Sequence, residues 1–365
     1  MIKKLLFIVL FVFLTLAPSF ADAQDINADK SFKAEVIKVL QERTMDREDG
    51  SKITQQNLLL RGLSGEFKGE EITSIGIGDF DMVSVGVYNA GDTVYVDSIV
   101  NEKEERAYLA TDYVRANWLY LLAIIFILAV IIIGGRKGLR SLLSLVLSFI
   151  VIIGLIIPQM LYGHHVLLIA TFGALLIMVI IIYVTDGFNR KSHLAVLTVF
   201  ISLILTLLLA YLFTWLTRLS GFSTEEATLL IGTSAGNINF QGLLLAGILI
   251  GAIGVLDDII LGQIEAVAQI KSANASLPDN NVFKLGMKVG RTHLGAIINT
   301  LFLTYVGVSL PLLMLFYLSP SGSTDFSQVI NNDVVATEIV RALVGSIGLI
   351  FSMPIATYLA SKFLK

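Results

Sequence analysis

Two patterns divide the chain. Residues 30 to 112 carry short apolar runs broken by polar turns, whereas beyond Trp118 the apolar runs are long and almost free of charge. In the first region Phe-Lys-Ala-Glu-Val-Ile-Lys-Val-Leu at 32–40 partly alternates, and 53–60, 70–77 and 93–100 are further runs of strand-forming residues. Gly62, Gly65 and Gly69, a polar turn at 46–51 and the Asn89-Ala90-Gly91-Asp92 turn punctuate them. Five or six short strands in roughly 80 residues predict a small all-β domain, a closed barrel of the OB or SH3-like kind. It holds no catalytic constellation and is expected to be a structural or partner-docking module.

A helix needs about 20 apolar residues to cross the hydrocarbon core. Seven stretches answer to this: 118–135, 141–161, 166–185, 194–217, 242–262, 294–318 and 335–360. The predicted fold is an α-helical polytopic membrane protein, seven transmembrane helices over 113–365, behind an extracytoplasmic β-rich domain over 24–112. Ahead of both, Lys3 and Lys4 precede an apolar run from Leu5 to Ala17 and then Ala21-Asp22-Ala23. That is the pattern of an export signal over 1–23, cleaved or retained as an anchor.

Either form sends the first span inward and fixes every later loop. Loops then placed inside hold eleven Lys and Arg residues, from Arg136, Lys137 and Arg140 to Lys362 and Lys365, while those placed outside after the β domain hold only Arg218. Positive residues on short loops set orientation, so the tally predicts a cytoplasmic C-terminus in the cell membrane. In the outside loop a small, polar stretch at 232–241 enters the fifth span directly, as a re-entrant segment does. The inside loop at 263–293 reads as two short surface helices.

Composition sharpens this picture. Of 365 residues 55% are hydrophobic and 15% charged, against about a quarter charged in soluble domains. Nothing is basic enough to predict nucleic acid as a partner; the expected partner is the lipid bilayer, with a second copy or a paralogous chain beside it. Without cysteine there is no disulfide framework or thiolate ligand, and the four histidines are scattered. Neither a metal nor a cofactor is expected.

Ionisable groups inside spans are costly, about 2.5 kcal/mol or more each, and are functional candidates by default. Gly247, Gly251, Gly254 and Asp258 fall at i, i+4, i+7 and i+11, one face of the fifth span. Small residues permit close helix approach, so Asp258 is expected in a helix–helix seam, with Asp257 about 100° round. The sixth span opens with Arg291-Thr292-His293 and carries Asn299 and Thr300 near the depth of Asp258, which predicts an Asp–Asn contact or plain interhelical hydrogen bonding. In the seventh, Glu338 and Arg341 stand at i, i+3 and are expected to pair, while Gly345 and Gly348 make a second close-packing face.

Four segments in order are familiar together: G-A-I-G-V-L-D-D at 251–258 with Gln263 after it, G-R-T-H-L-G-A-I-I-N-T-L at 290–301, Y-V-G-V-S-L-P-L-L-M-L-F at 305–316 and V-A-T-E-I-V-R-A-L-V-G-S-I-G-L at 335–349. In these the chain resembles the YibE/F family of bacterial multi-pass membrane proteins. It departs from the family pattern at Thr292, where an acidic residue follows the Gly-Arg. The resemblance implies a permease-like membrane protein. The expected function is transport of a small solute or ion; the alternative is a sensor, scaffold or partner subunit docking through the β domain. An enzyme is not expected, because H-E-x-x-H is absent and Asp257 and Asp258 lie near the opposite membrane face from Glu338.

Overall fold

The computed structural model describes residues 31–46, 52–77, 86–100, 106–222, 227, 229, 230, 239–318 and 326–364. The expected export signal and most of the 232–241 stretch lie outside them. The chain forms two compact units, one ending at Ala129 and the other beginning at Val130.

The first unit contains an antiparallel sheet of five strands: β1 (Phe32–Asp46), β2 (Lys52–Gly62), β3 (Glu71–Ile75), β4 (Thr93–Val100) and β5 (Arg106–Tyr113). Strand order is β3-β2-β1-β4-β5. Period-two alternation puts Phe32, Ala34 and Val36 of β1 inside with Leu58 and Leu60 of β2 and Val94 and Val96 of β4. Phe67, on a short helical turn after β2, lies 4.5 Å from Phe32 and 5.4 Å from Tyr108, centroid to centroid. A Cβ at Gly62 would overlap the Phe67 carbonyl, so only glycine lets that turn fold onto the strand. The two edges approach each other: the Ala110 N–H of β5 donates to Ser74 Oγ of β3 at 3.0 Å. Buried Gln56 clamps residue 88 with both ends of its amide, accepting from the Tyr88 N–H at 2.8 Å and donating to the Tyr88 carbonyl at 3.2 Å. Burial pushes the Tyr88 phenol up to about 12.

Beyond the sheet the described elements are helical: α1 (Ala116–Val151), a π-helical turn (Ile152–Ile156), α2 (Ile157–Leu161), α3 (Val166–Thr185), α4 (Arg190–Leu216), α5 (Phe240–Ala273), α6 (Asp279–Val308), α7 (Leu310–Tyr317), α8 (Phe326–Ile330) and α9 (Asp333–Phe363). Asparagine starts three of them: Asn189, Asn239 and Asn332 accept the free N–H groups of Ser192, Gly242 and Val334.

Among the described residues five helical runs are long and apolar enough to cross a membrane: Ala116–Leu161, Val166–Thr185, Arg190–Leu216, Phe240–Ala273 and Asp333–Phe363. The seven expected stretches differ from these in two places. Stretches 118–135 and 141–161 join into one 46-residue run, interrupted at Gly135 (φ 53°, ψ −134°), where glycine alone is at ease. The interruption is sharp, since a Cβ on Gly138 would overlap the Val130 carbonyl, although eight residues of straight helix span about 12 Å. Stretch 294–318 is divided at Ser309 between α6 and α7, just ahead of Pro311.

The main core lies among α3, α4, α5 and α9, with Ile177, Leu203, Leu249, Leu256, Ile260, Leu349 and Met353 inside. On α5 the packed face is the ridge Leu245, Leu249, Leu256, Ile260, Ile264 and Val267.

Candidate functional site

Contacts place Lys137, Asp186, Lys191, Glu265 and Lys271 at one end of the bundle, called here the basic end. Gly187 (φ 81°) stops α3 there, and Asn189 turns the chain into α4. Lys137 Nζ lies 2.8 Å from Asp186 Oδ1, and Lys191 Nζ 2.7 Å from Glu265 Oε2. Both pairs line a cleft of about 660 Å³ together with Asn189, Arg190, Ser192 and Gly262. Asp257 of α5 is within electrostatic reach of Asp186 and Lys137. Its Oδ1 is buried without a hydrogen-bond partner, as are Asp186 Oδ2, Thr185 Oγ1 and Ser192 Oγ.

The acidic pair is thus arranged the other way from the sequence expectation. Asp258 is exposed, as are Gly247, Gly251 and Gly254, and a Cβ at Gly247 or Gly254 would meet nothing within 4 Å. The physical reason is that α5 packs through its bulky Leu/Ile ridge, which leaves the glycine stripe on its open side, where Gly251 meets Tyr305 of α6 and Gly247 and Gly254 meet nothing. No hydrogen bond joins Asp258 to Asn299 among the described residues. Asn299 and Thr300 are exposed, and the Thr300 hydroxyl donates to Ala296 O of its own helix.

Gln263 instead sits at a junction of three helices, 5% exposed. Its Nε2 donates to Gly286 O of α6 and Thr357 Oγ1 of α9, both at 2.8 Å. Gly286 and Gly290 make that approach possible: a Cβ at 290 would lie 2.5 Å from Met353 Sδ and 2.7 Å from Gln263 Oε1. Beside this junction a cleft of about 260 Å³ is lined by His293, Gly262, Glu265 and Gln269, while Arg291 is exposed.

Glu338 Oε1 and Arg341 Nη1 pair at 3.0 Å, and Arg341 Nε is buried without a partner. Tyr305 of α6 points its hydroxyl at both Gly251 and Gly345, 3.7 and 3.8 Å from a Cβ built there, so Gly345 lines a notch for that ring. Gly348 packs directly on Thr206 of α4.

That last contact opens a feature the sequence reading missed. Thr198, Ser202, Thr206, Ala210 and Thr214 form one i, i+4 ridge of α4, and each is fully buried or nearly so. Antiparallel to it, α9 offers Thr337, Arg341, Gly348 and Ser352. Thr198, Thr206 and Ser352 satisfy their hydroxyls on their own helix. Ser202 Oγ, Thr214 Oγ1 and Thr337 Oγ1 have no partner. The four-residue hydroxyl period in α4 was the available signal, masked by the high hydrophobicity around it.

The family described as YibE/F-like protein matches residues 122–365. No curated protein and no solved structure matches the chain.

Proposed function

The chain belongs to the YibE/F-like family, and from that premise we propose that it is a permease-like protein that moves a small polar solute or ion across the cell membrane. One observation carries this reading: the unpartnered Ser202, Thr214, Thr337 and Arg341 polar atoms on the facing ridges of α4 and α9. Inside hydrocarbon an orphaned polar group costs several kcal/mol, and backbone or side-chain polarity survives where it lines a wet path. The ridges run from the Glu338–Arg341 pair toward the basic end. The role of each residue is binding and passage; no covalent chemistry is called for.

In this reading the membrane part crosses seven times. Lys137 belongs at a membrane surface because it pairs with Asp186 just beyond α3, so α1 crosses before Gly135 and again after it. The basic end is the cytoplasmic side. The sheet order and the approach of β3 to β5 fit an OB-like barrel on the outer side, a docking module for a second copy or a related chain. A sensor or scaffold would need that barrel and would leave the polar ridges unexplained.

The absence of cysteine makes the test direct. Single cysteines at Ser202, Thr214 and Thr337 should react with small water-soluble methanethiosulfonates in membranes, while one at Leu203 should not. Solute flux in liposomes should fall when the three are blocked. Unreactive thiols at all three positions would remove the wet path and the permease reading with it.

A further inference from the structure

We propose that the junction of α3, α4 and α5 at the basic end binds a monovalent metal cation of about sodium size, with Lys137 as a built-in counter-ion that the cation displaces. The donors are hard oxygens from three helices: Asp186 Oδ2 and Thr185 Oγ1 at the end of α3, Ser192 Oγ on the first turn of α4 and Asp257 Oδ1 on α5, all buried and unpartnered. Ser192 is decisive beside the carboxylates. It is 0% exposed and lines the cleft with Asp186, yet its hydroxyl does not bond back to its own helix as the Thr198 and Thr206 hydroxyls do. A buried hydroxyl beside acidic oxygens can turn its lone pairs to a cation. The carbonyl end of α3 adds the negative pole of the helix.

Charge sets the valence. Glu265 is engaged by Lys191 at 2.7 Å, and Arg190 stands exposed at the rim. Asp186, Asp257 and neighbouring Asp258 then face Lys137 and Arg190, and one negative charge is left over. A divalent ion such as calcium prefers six to eight oxygens and more charge than this junction supplies. Lys137 holds Asp186 by one oxygen with 70% of its side chain exposed, and an ion pair that open is worth little. It can therefore swing away when a cation enters and return when it leaves. In the permease reading, on which this rests only for its consequence, the exchange would couple solute movement to a cation gradient.

Binding can be measured without flux. The full chain, purified in detergent at fixed pH and ionic strength, is melted in sodium chloride and in choline chloride. Sodium should raise the melting temperature. Asp257→Asn should abolish the rise, and Ser192→Ala should reduce it while leaving the choline value unchanged. Lys137→Ala should tighten sodium binding about three- to fivefold, the worth of an exposed pair. No sodium rise, a rise that survives Asp257→Asn, or one that Lys137→Ala weakens or leaves alone overturns the proposal, as does a response to calcium without one to sodium. A sodium rise without flux fails the permease reading alone; flux without a sodium rise fails the cation site alone.

Discussion

At the scale of single residues, the lesson is that a glycine's role depends on what stands opposite it. Gly254 and Gly348 look alike in sequence, each on a small-residue face of a span. A Cβ at Gly254 would meet nothing within 4 Å, whereas one at Gly348 would overlap Thr206 Oγ1. Thr206 cannot easily give way, because it is β-branched and its hydroxyl is held by Ser202 O at 2.8 Å. Gly348→Ala should therefore lower stability by about 1–3 kcal/mol through overpacking. Gly254→Ala should be neutral or gain up to about 1 kcal/mol from helix propensity. Melting temperatures of the two variants in detergent check this, and equal losses would refute it. The same reasoning explains why Asp258 was expected where Asp257 is found. Periodicity shows which residues share a face, but the face that packs is chosen by neighbours that one helix's sequence does not contain.

At the scale of elements, strands and helices were legible because local chemistry decides them. Alternation at Phe32, Ala34 and Val36 and long Leu/Ile runs act within a few residues. What escaped was the way elements meet: the Gln263 junction, Tyr305 in its notch and the α4–α9 ridges each depend on residues far apart in sequence, 142 positions in the case of Thr206 and Gly348. The bend in α1 lies between these cases. Two spans and a basic loop were readable around Gly135, while its backbone conformation was not. A straight 46-residue run would be about 69 Å long, over twice the hydrocarbon thickness. Reporter fusions decide the number of crossings. With a bend, one at Arg190 reports the opposite side from one at Gly91; with α1 crossing once, the two report the same side. Lys284 should agree with Arg190, and Ser220 with Gly91.

At the scale of the whole molecule, the membrane unit is unevenly secured. One apolar core ties α3, α4, α5 and α9 together. By contrast α6 is buried at Val282, Gly286 and Gly290, then only at Leu301 among its described residues beyond them. Mechanically that makes α6 a cantilever, clamped at the Gln263 junction and propped further out by Leu301 and by the peg of Tyr305. A beam so held swings at its tip under forces too small to disturb its root. Spin labels should show a broad distance distribution between Val308 on α6 and Ile339 on α9, and a narrow one between Leu285 and Tyr358 near the clamp. Tyr305→Ala, by removing the peg, should broaden the first and leave the second as it was.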